Sequence, residues 1–263
     1  MLLENKIAVV YGAGGAIGGA VARGFAREGA RLFLAGRQRA AVEAAAKDIV
    51  SAGGFAQAAE VDALDESAID SHLESVIDDA GRIDVSFNAI GIPGTTILGV
   101  PLVDLDVERF CLPITTYATA YFLIARLAAR RMVAQRSGVI MTATTQHSRM
   151  GIPLSGGYGS AMAAEEALTR LLSAELAAHG VRVVGLRPQA IPETATLREA
   201  FDIRAKTSAI TWEQFQESLA SKTHARRLMT LEETANVAAF IASDKASGLT
   251  GTTVNLTMGS LDD

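Results

Sequence analysis

What the sequence lacks argues against disulfide bonds, nucleic-acid binding and membrane insertion. The single cysteine, Cys111, has no partner for an intramolecular disulfide and suits a reducing compartment, so we expect a cytoplasmic protein. The formal net charge is −5 and no long basic run occurs, so we expect no nucleic-acid partner. No uninterrupted apolar run reaches 18 residues and the first residues lack the layout of a signal peptide, so we expect no membrane partner.

Short apolar runs alternate with amphipathic stretches, the pattern of a parallel sheet covered by helices on both faces. Strands are predicted at residues 7–11, 32–35, 54–60, 85–88, 139–144, 182–186 and 253–256. Helices are predicted at residues 17–28, 39–52, 66–80, 107–135, 158–179 and 231–243. These elements use the whole length, so residues 1–263 are predicted to form one α/β domain with an inserted helical lid at about 191–230.

A glycine-rich turn follows the first predicted strand and opens the first predicted helix. Residues without side chains let the backbone approach a pyrophosphate, and the free amides and partial positive charge of a helix N-terminus bind the phosphates. A glycine-rich turn alone can be purely structural, but its place between a strand and a helix predicts a dinucleotide site. The predicted cofactor-binding residues of this turn are Gly12, Gly14, Gly15, Ile17 and Gly18.

This turn resembles the Thr-Gly-x-x-x-Gly-x-Gly loop of the short-chain dehydrogenase/reductase family. Gly12 and Gly18 match, whereas Tyr11 replaces the threonine and Ala16 replaces the middle glycine. The closing segment 249–256 also resembles the family, so the similarity spans nearly the whole chain. The resemblance implies a Rossmann-like, doubly wound parallel sheet of seven strands. It also implies an NAD(P)-dependent oxidoreductase that acts on a small-molecule carbonyl or alcohol substrate.

The end of the second predicted strand bears on the choice of cofactor. An acidic residue at this tip would bind a ribose with a free 2′-hydroxyl, whereas an arginine accommodates a 2′-phosphate. Arg37 stands there and predicts NADP(H) as the preferred cofactor, with NAD(H) as the alternative; a solvated arginine at a strand end would look the same. Asp62 matches a family position that contacts adenine, and it equally fits the N-cap of the next helix. We assign no metal ligand.

Two further segments resemble cofactor-lining motifs of the family. The fourth predicted strand ends in a segment similar to the family's Asn-Asn-Ala-Gly motif, with Asn88 and Gly91 retained; an ordinary Asn–Gly turn is the alternative. After the sixth predicted strand, Pro188 and Thr194 resemble a segment whose backbone and threonine contact the nicotinamide carboxamide in the family. Gln189 replaces the glycine of that segment.

The family's reaction centre combines a serine, a tyrosine and a lysine. Tyr158 matches the tyrosine, and Thr145 stands at the serine position thirteen residues earlier with an equivalent hydroxyl. Met162 occupies the lysine position, one helical turn after Tyr158. A free phenol titrates near pH ~10, and a neighbouring cation favours the phenolate whereas a thioether does not. Tyr117 falls near the position of the asparagine that accompanies the family's set.

Three hypotheses are open at this point. In the first, the protein is an NADP(H)-dependent oxidoreductase in which Thr145 holds the substrate oxygen and Tyr158 donates the proton. In the second, it binds nucleotide without catalysis and has a structural or regulatory role. In the third, His147 or a lid cation, Lys206 or Lys222, replaces the missing base, although a solvated loop residue is the plainer interpretation of each.

The two long predicted helices, 107–135 and 158–179, carry more apolar residues than one sheet face needs. Together with the family resemblance, this predicts a homodimer or homotetramer. Trp212, Phe201, Phe215 and Leu219 in the predicted lid indicate either an apolar substrate pocket or packing of the lid itself.

Overall fold

The computed structural model describes residues 1–205 and 210–262. One sheet contains seven strands: β1 (Ile7–Tyr11), β2 (Arg31–Gly36), β3 (Phe55–Glu60), β4 (Val85–Asn88), β5 (Gly138–Ala143), β6 (Val181–Pro188) and β7 (Thr252–Leu256). Their order is β3-β2-β1-β4-β5-β6-β7, and every neighbouring pair runs parallel. The predicted seven-stranded parallel sheet is confirmed.

The α-helices of the described residues are α1 (Ala16–Arg27), α2 (Arg39–Ser51), α3 (Glu66–Ala80), α4 (Val107–Gln135), α5 (Tyr158–Leu176), α6 (Ala195–Ala205), α7 (Trp212–Ala220) and α8 (Leu231–Ala242). The largest departure from a predicted helix lies at the end of α5. There Ala177–His179 form a 3₁₀ turn before Gly180, which adopts a φ of 77°. A left-handed glycine ends a helix readily because it has no Cβ to collide with the preceding turn.

Alternating side chains of the central strands supply two separate cores. Ala8 and Val10 of β1 pack with helices α1, α2 and α8 on one face of the sheet. Val9 and Tyr11 face the other way and pack with α3 and α4. Because successive strand residues point to opposite faces and both faces are covered, the central strands read as continuous apolar runs.

The winding of the sheet locates the site. The chain goes from β1 to β2 and β3 on one side, then returns to place β4 on the other side of β1. In an open parallel sheet, the crevice at the carboxyl ends of the strands opens where the winding reverses. The turns that follow β1 and β4 therefore meet at this crevice, and those that follow β5 and β6 border it.

Helices α6 and α7 occupy the segment predicted to be a lid. Phe201 of α6 lies 5.3 Å from Trp212 and 5.7 Å from Phe215 of α7, measured between ring centroids. Thr211 and Gln214 form a reciprocal capping box that starts α7. The two helices therefore pack against each other through aromatic rings. A lid function for this segment stays a prediction, and Lys206 lies outside the described residues.

Helix α4 is 29 residues long and apolar enough to cross a membrane by length and composition alone. The core helices of globular proteins pass the same test. Its side chains Tyr121, Ile124, Leu127 and Met132 are fully buried within the core formed with α3. We therefore describe α4 as a core helix of this domain.

Candidate active site

The glycine-rich loop lies tightly against the turn that follows β4. Gly12 has a φ of 77°, and a side chain there would collide with the carbonyl oxygen of Ala89. A side chain at Gly18 would collide with the carbonyl oxygen of Gly12. Helix α1 begins after Gly15 with no side-chain cap and no acidic residue in its first turn. Its first amides therefore lack a side-chain acceptor, which is the arrangement that binds an anion.

The next part of the crevice lies between the loop and helix α2. A Cβ at Gly14 would come within 2.8 Å of the Cβ of Ala41. Arg37 is exposed at the end of β2, and within residues 1–205 and 210–262 it forms no ion pair. Arg39 is already paired, with its Nε 2.7 Å from Glu43 Oε1. Of the two arginines, Arg37 is therefore the one available to an anionic group.

Asp62 does not cap the helix that follows it. Its Oδ1 accepts a hydrogen bond from the amide of Leu64 at 3.0 Å, and the side chain is exposed. The N-cap of α3 is Asp65, whose side chain accepts from the amide of Ala68. The N-cap interpretation of Asp62 is therefore wrong, because the helix begins one turn later. The carboxylate of Asp62 remains at the surface beside the end of β3.

Asn88 braces the turn after β4. Its side-chain oxygen accepts from the amide of Ile90 at 3.2 Å. Its Nδ2 donates to Thr142 Oγ1 at 3.0 Å and to Glu165 Oε1 at 3.1 Å. One buried amide thus joins β4, β5 and α5 directly beneath the loop that carries Gly91.

Pro188, Gln189 and Thr194 line the cavity at the end of β6, and Ile17 of α1 also lines it. Gln189 is 7% exposed, and its side-chain oxygen has no partner in the described part of the chain. The hydroxyl of Thr194 donates to the carbonyl of Ile191 at 2.8 Å. A buried acceptor without a donor is costly unless something fills that role. A carboxamide –NH₂ would do so, and the residues present therefore fit the nicotinamide end of a dinucleotide.

Thr145 and Tyr158 lie together at the cavity, with His147 beside both. The hydroxyl of Thr145 is 3.1 Å from Nδ1 of His147 and accepts a hydrogen bond from the His147 amide at 3.3 Å. The imidazole ring is edge-on to the Tyr158 ring, with centroids 5.0 Å apart. All three side chains line the cavity. The structure thus brings the two predicted hydroxyl groups together and adds an imidazole to them.

Position 162, one helical turn after Tyr158, is packed among apolar side chains. Met162 is 1% exposed and belongs to a small apolar cluster with Tyr158, Tyr117 and Ile97. The hydroxyl of Tyr117 accepts from the amide of Ile92 at 3.3 Å. Burial raises the pKa of Tyr117 to about 12. Burial likewise raises the pKa of Tyr158 well above its usual value, so this phenol is a weak acid here.

A fully buried glutamate on α5, Glu165, was not predicted. Its Oε1 accepts from Asn88 Nδ2 and, at 3.5 Å, from Thr142 Oγ1, while Oε2 has no partner among the described residues. Burial raises the pKa of this carboxyl well above its usual value, which favours the neutral acid. Glu165 lies seven residues after Tyr158 and therefore on the same helix face. That spacing is the signal in the sequence that identifies it.

The adjacent glutamate, Glu166, is buried as an ion. Its carboxylate is bound by Arg187 Nε at 2.7 Å and Nη2 at 2.9 Å, and by the hydroxyl groups of Ser148 at 2.5 Å and Thr144 at 3.2 Å. Burial alone would raise its pKa, but the hydrogen bonds from Arg187 and Ser148 hold the pKa below its usual value. This pair fixes the loop that carries His147 to helix α5 and the end of β6.

The cavity has a volume of about 320 Å³ and extends from Ile17 to α7. Lys222, one of the two lid lysines considered from the sequence, lines it. Of the predicted site residues, Ile17, Thr145, Tyr158, Pro188 and Thr194 line this cavity. The loop glycines, Arg37, Asp62, Asn88 and Gly91 are not among its lining residues.

Known proteins of similar sequence and structure are oxidoreductases. The family described as enoyl-(acyl carrier protein) reductase matches residues 12–260. Two uncharacterized oxidoreductases of Bacillus subtilis (strain 168) are similar: YxjF, at 29% identity over 98% of each chain, and YxbG, at 30% identity over 95% of this chain and 88% of its own. The crystal structure of NAD+-bound xylitol dehydrogenase matches with a TM-score of 0.90 at 26% identity, covering 97% of this chain and 99% of that one. The chain belongs to the short-chain dehydrogenase/reductase family.

Proposed function

We propose that this oxidoreductase uses NADP(H), with NAD(H) as the alternative, to interconvert a small-molecule carbonyl and its alcohol. The observation that carries the proposal is the pair of hydroxyl groups, Thr145 and Tyr158, in the cavity at the carboxyl ends of the strands. Two hydroxyl groups in one cavity can donate hydrogen bonds to the lone pairs of a carbonyl oxygen. They thereby stabilise the negative charge that develops on that oxygen.

The chain's own residues would hold the cofactor along the crevice. The backbone at Gly12–Gly18 and the start of α1 would bind the pyrophosphate, and Arg37 would bind a 2′-phosphate. Gln189 and Thr194, which line the cavity, would orient the nicotinamide ring. When bound in its reduced form, the nicotinamide supplies a hydride. The xylitol dehydrogenase of similar structure was solved with NAD+. Cofactor preference here rests on Arg37, which is exposed and forms no ion pair within the described residues.

Tyr158 is the proposed proton donor to the oxygen that Thr145 holds. Its altered surroundings define an atypical site: Met162 supplies no charge, and burial raises the pKa of the phenol. A general acid works best when its pKa lies near the working pH. We therefore expect slow turnover.

A second candidate for the donor is His147. Its Nδ1 is 3.1 Å from the Thr145 hydroxyl, and its ring contacts Tyr158. In this version the imidazolium gives its proton to the substrate oxygen and becomes neutral imidazole, while Tyr158 stays protonated. The observation that favours it is the absence of any lysine at position 162 to tune the phenol.

Paired substitutions separate the two donors. With NADPH and a panel of ketones and aldehydes, Tyr158→Phe is expected to lower kcat by roughly 100-fold or more, the size of a lost general acid, and to leave the cofactor Kd unchanged. His147→Gln is expected to lower it less. The reverse ranking would assign the donor to His147. If the wild type binds NADPH and reduces none of the panel, the non-catalytic hypothesis of a structural or regulatory role is favoured.

We propose a homodimer or homotetramer formed through α4 and α5. Large apolar side chains remain exposed on both helices, with Phe122 at 42% and Leu171 at 63%. Light scattering on the wild type and on Leu171→Glu tests this assignment, because a charge buried at an interface lowers the assembled fraction. A monomeric wild type at micromolar concentration would contradict it. A cytoplasmic location agrees with the fold and stays a prediction.

A further inference from the structure

The walls of the cavity are mainly aliphatic beyond the two catalytic hydroxyl groups. Side chains from the loop after β5 and from helices α6 and α7 form them: Met150, Ile152, Leu154, Leu197, Ile203 and Leu219. A hydroxyl group placed against such walls would lose its water partners without gaining new ones. The walls therefore fit a substrate with an apolar body rather than a polyhydroxylated chain.

Several polar side chains at the cavity are already engaged within the protein. The side-chain oxygen of Gln146 accepts from the hydroxyl of Ser260 at 3.1 Å, and the hydroxyl of Thr194 donates to the carbonyl of Ile191. Gln189 lies at the nicotinamide end. These contacts lower the number of polar groups left to bind the body of a substrate; Ser155 and Thr196 also line the cavity.

Among residues 1–205 and 210–262, Lys222 is the one permanently charged residue that lines the cavity. Lys222 follows the end of α7 and its side chain is exposed, with no carboxylate partner among the described residues. The two arginines that follow it differ from it. Arg226 donates to the carbonyl of Ser221 at 2.6 Å, and Arg227 is paired with Glu233 at 2.6 Å.

The backbone around Lys222 is fixed. The neighbouring Thr223 is 2% exposed, and its hydroxyl bonds to the carbonyl of Ala220 at 2.9 Å and to that of Arg227 at 3.2 Å. A lysine on a fixed turn at the rim of an apolar cavity keeps its ammonium group in water while its methylene groups cover the wall. This places the Lys222 side chain at the rim of the cavity.

We propose that the substrate is an apolar carbonyl or alcohol compound that carries a carboxylate at the end remote from the reacting carbon, and that Lys222 binds this carboxylate. The inference rests on the proposed function, since Thr145 and Tyr158 must hold the other end. An ion pair at an exposed rim contributes modestly, so Lys222 adds selectivity of roughly threefold to fivefold and not the bulk of the affinity.

The test compares the reduction of three ketones with the same carbon chain: a medium-chain aliphatic keto acid, its methyl ester and the corresponding keto amine. Wild type is expected to show the highest kcat/KM for the acid. Lys222→Gln is expected to lower kcat/KM for the acid by roughly threefold to fivefold and to leave the ester unchanged. Lys222→Glu is expected to favour the amine. Added salt should reduce the preference of wild type, because a rim charge is screened.

Lys245→Gln serves as the matched control, because Lys245 is exposed and does not line the cavity. Equal rates for acid and ester in wild type would overturn the inference, as would an equal loss on both substrates in Lys222→Gln. Turnover of other carbonyl compounds but none of the three would also overturn it, with the proposed function intact.

Failure of the proposed function gives a different pattern, with NADPH bound and no carbonyl reduced. In that case the binding of the keto acid and of its ester tests the inference, measured by the fluorescence of Trp212, the single tryptophan. The ring centroid of Trp212 lies 6.0 Å from that of Phe215, which lines the cavity. Tighter binding of the keto acid than of its ester in wild type, lost in Lys222→Gln, supports it. Equal binding of the two ligands refutes it.

Discussion

Replacing Glu165 by glutamine should make the protein more stable, and increasingly so as the pH rises. Glu165 is fully buried, one carboxyl oxygen has no partner among the described residues, and burial raises the pKa of the group. Glutamine has the same shape and no charge. Its side-chain oxygen can keep the hydrogen bonds from Asn88 and Thr142. The substitution therefore removes a titration without removing a contact.

The size of the effect follows from proton linkage. Above the pKa of a glutamate in the unfolded chain, near ~4.3, the unfolded state loses its proton while the folded state keeps it. Folding then takes up one proton, and the free energy of unfolding falls by about 1.4 kcal/mol for each pH unit until the raised pKa of Glu165 is reached. This fall in the free energy of unfolding occurs in wild type and not in Glu165→Gln.

Urea unfolding followed by Trp212 fluorescence measures this difference at several pH values between about 5 and 8, at one fixed protein concentration. The advantage of Glu165→Gln over wild type is expected to grow with pH. Glu175→Gln, an exposed position on the same helix, is the control and should show no such trend. A stability difference that stays constant over this range would refute the reasoning, because it would mean that Glu165 is ionised in the folded protein.

Three further outcomes are expected. Met162→Lys places an ammonium group three residues from Glu165 on one helix face, so the new lysine and Glu165 pair with each other and the charge does not act on Tyr158. Removing the carboxylate frees that charge, so the reductase rate should rise by roughly tenfold more in the double variant Met162→Lys with Glu165→Val than in Met162→Lys alone. Arg37→Ala should weaken NADPH binding by about tenfold and leave NADH unchanged, whereas Arg27→Ala changes neither; titration calorimetry measures both, and equal losses would contradict the assignment. Gly12→Ala should abolish cofactor binding in the same assay, because its Cβ would collide with the Ala89 carbonyl.

The adjacent Glu166 should behave in the opposite way to Glu165. Its folded pKa is lowered, so its contribution to stability is present above the ordinary glutamate pKa and is lost as the pH falls through the folded value. Glu166→Gln should therefore destabilise the protein near neutral pH, and the deficit should shrink in acid. Denaturation curves at matched pH values check this, and a deficit that grows in acid would contradict it.

Local pattern was enough to predict the elements of the fold. Strand β4 and helices α3 and α4 have the predicted bounds, because apolar periodicity and the capping residues Asp65 and Asp106 act within a few residues of where they stand. The role of Asp62 was not decided by such signals. Asp62 and Asp65 are both plausible caps, and only the path of the backbone shows which amide each carboxylate reaches.

The candidate site was predicted unevenly for a related reason. Thr145 and Tyr158 are thirteen residues apart and matched a known spacing, so their meeting was foreseeable. The contact of His147 with Tyr158 and the pairing of Glu166 with Arg187 depend on how the loop after β5 packs on α5 and β6. No local pattern encodes that packing.

The sequence by itself determined the parallel sheet, the glycine-rich turn between β1 and α1 and the methionine one helical turn after Tyr158, since each is written in residue type and spacing. Only the tertiary structure decided what surrounds Tyr158: a methionine buried in an apolar cluster, an imidazole against the ring and a buried glutamate whose pKa is raised. It also brought Lys222 to the cavity. The physical reason is burial. Segments distant in the sequence remove water from a carboxyl or a phenol and supply its partners, and both decide the charge of the carboxyl and the acidity of the phenol.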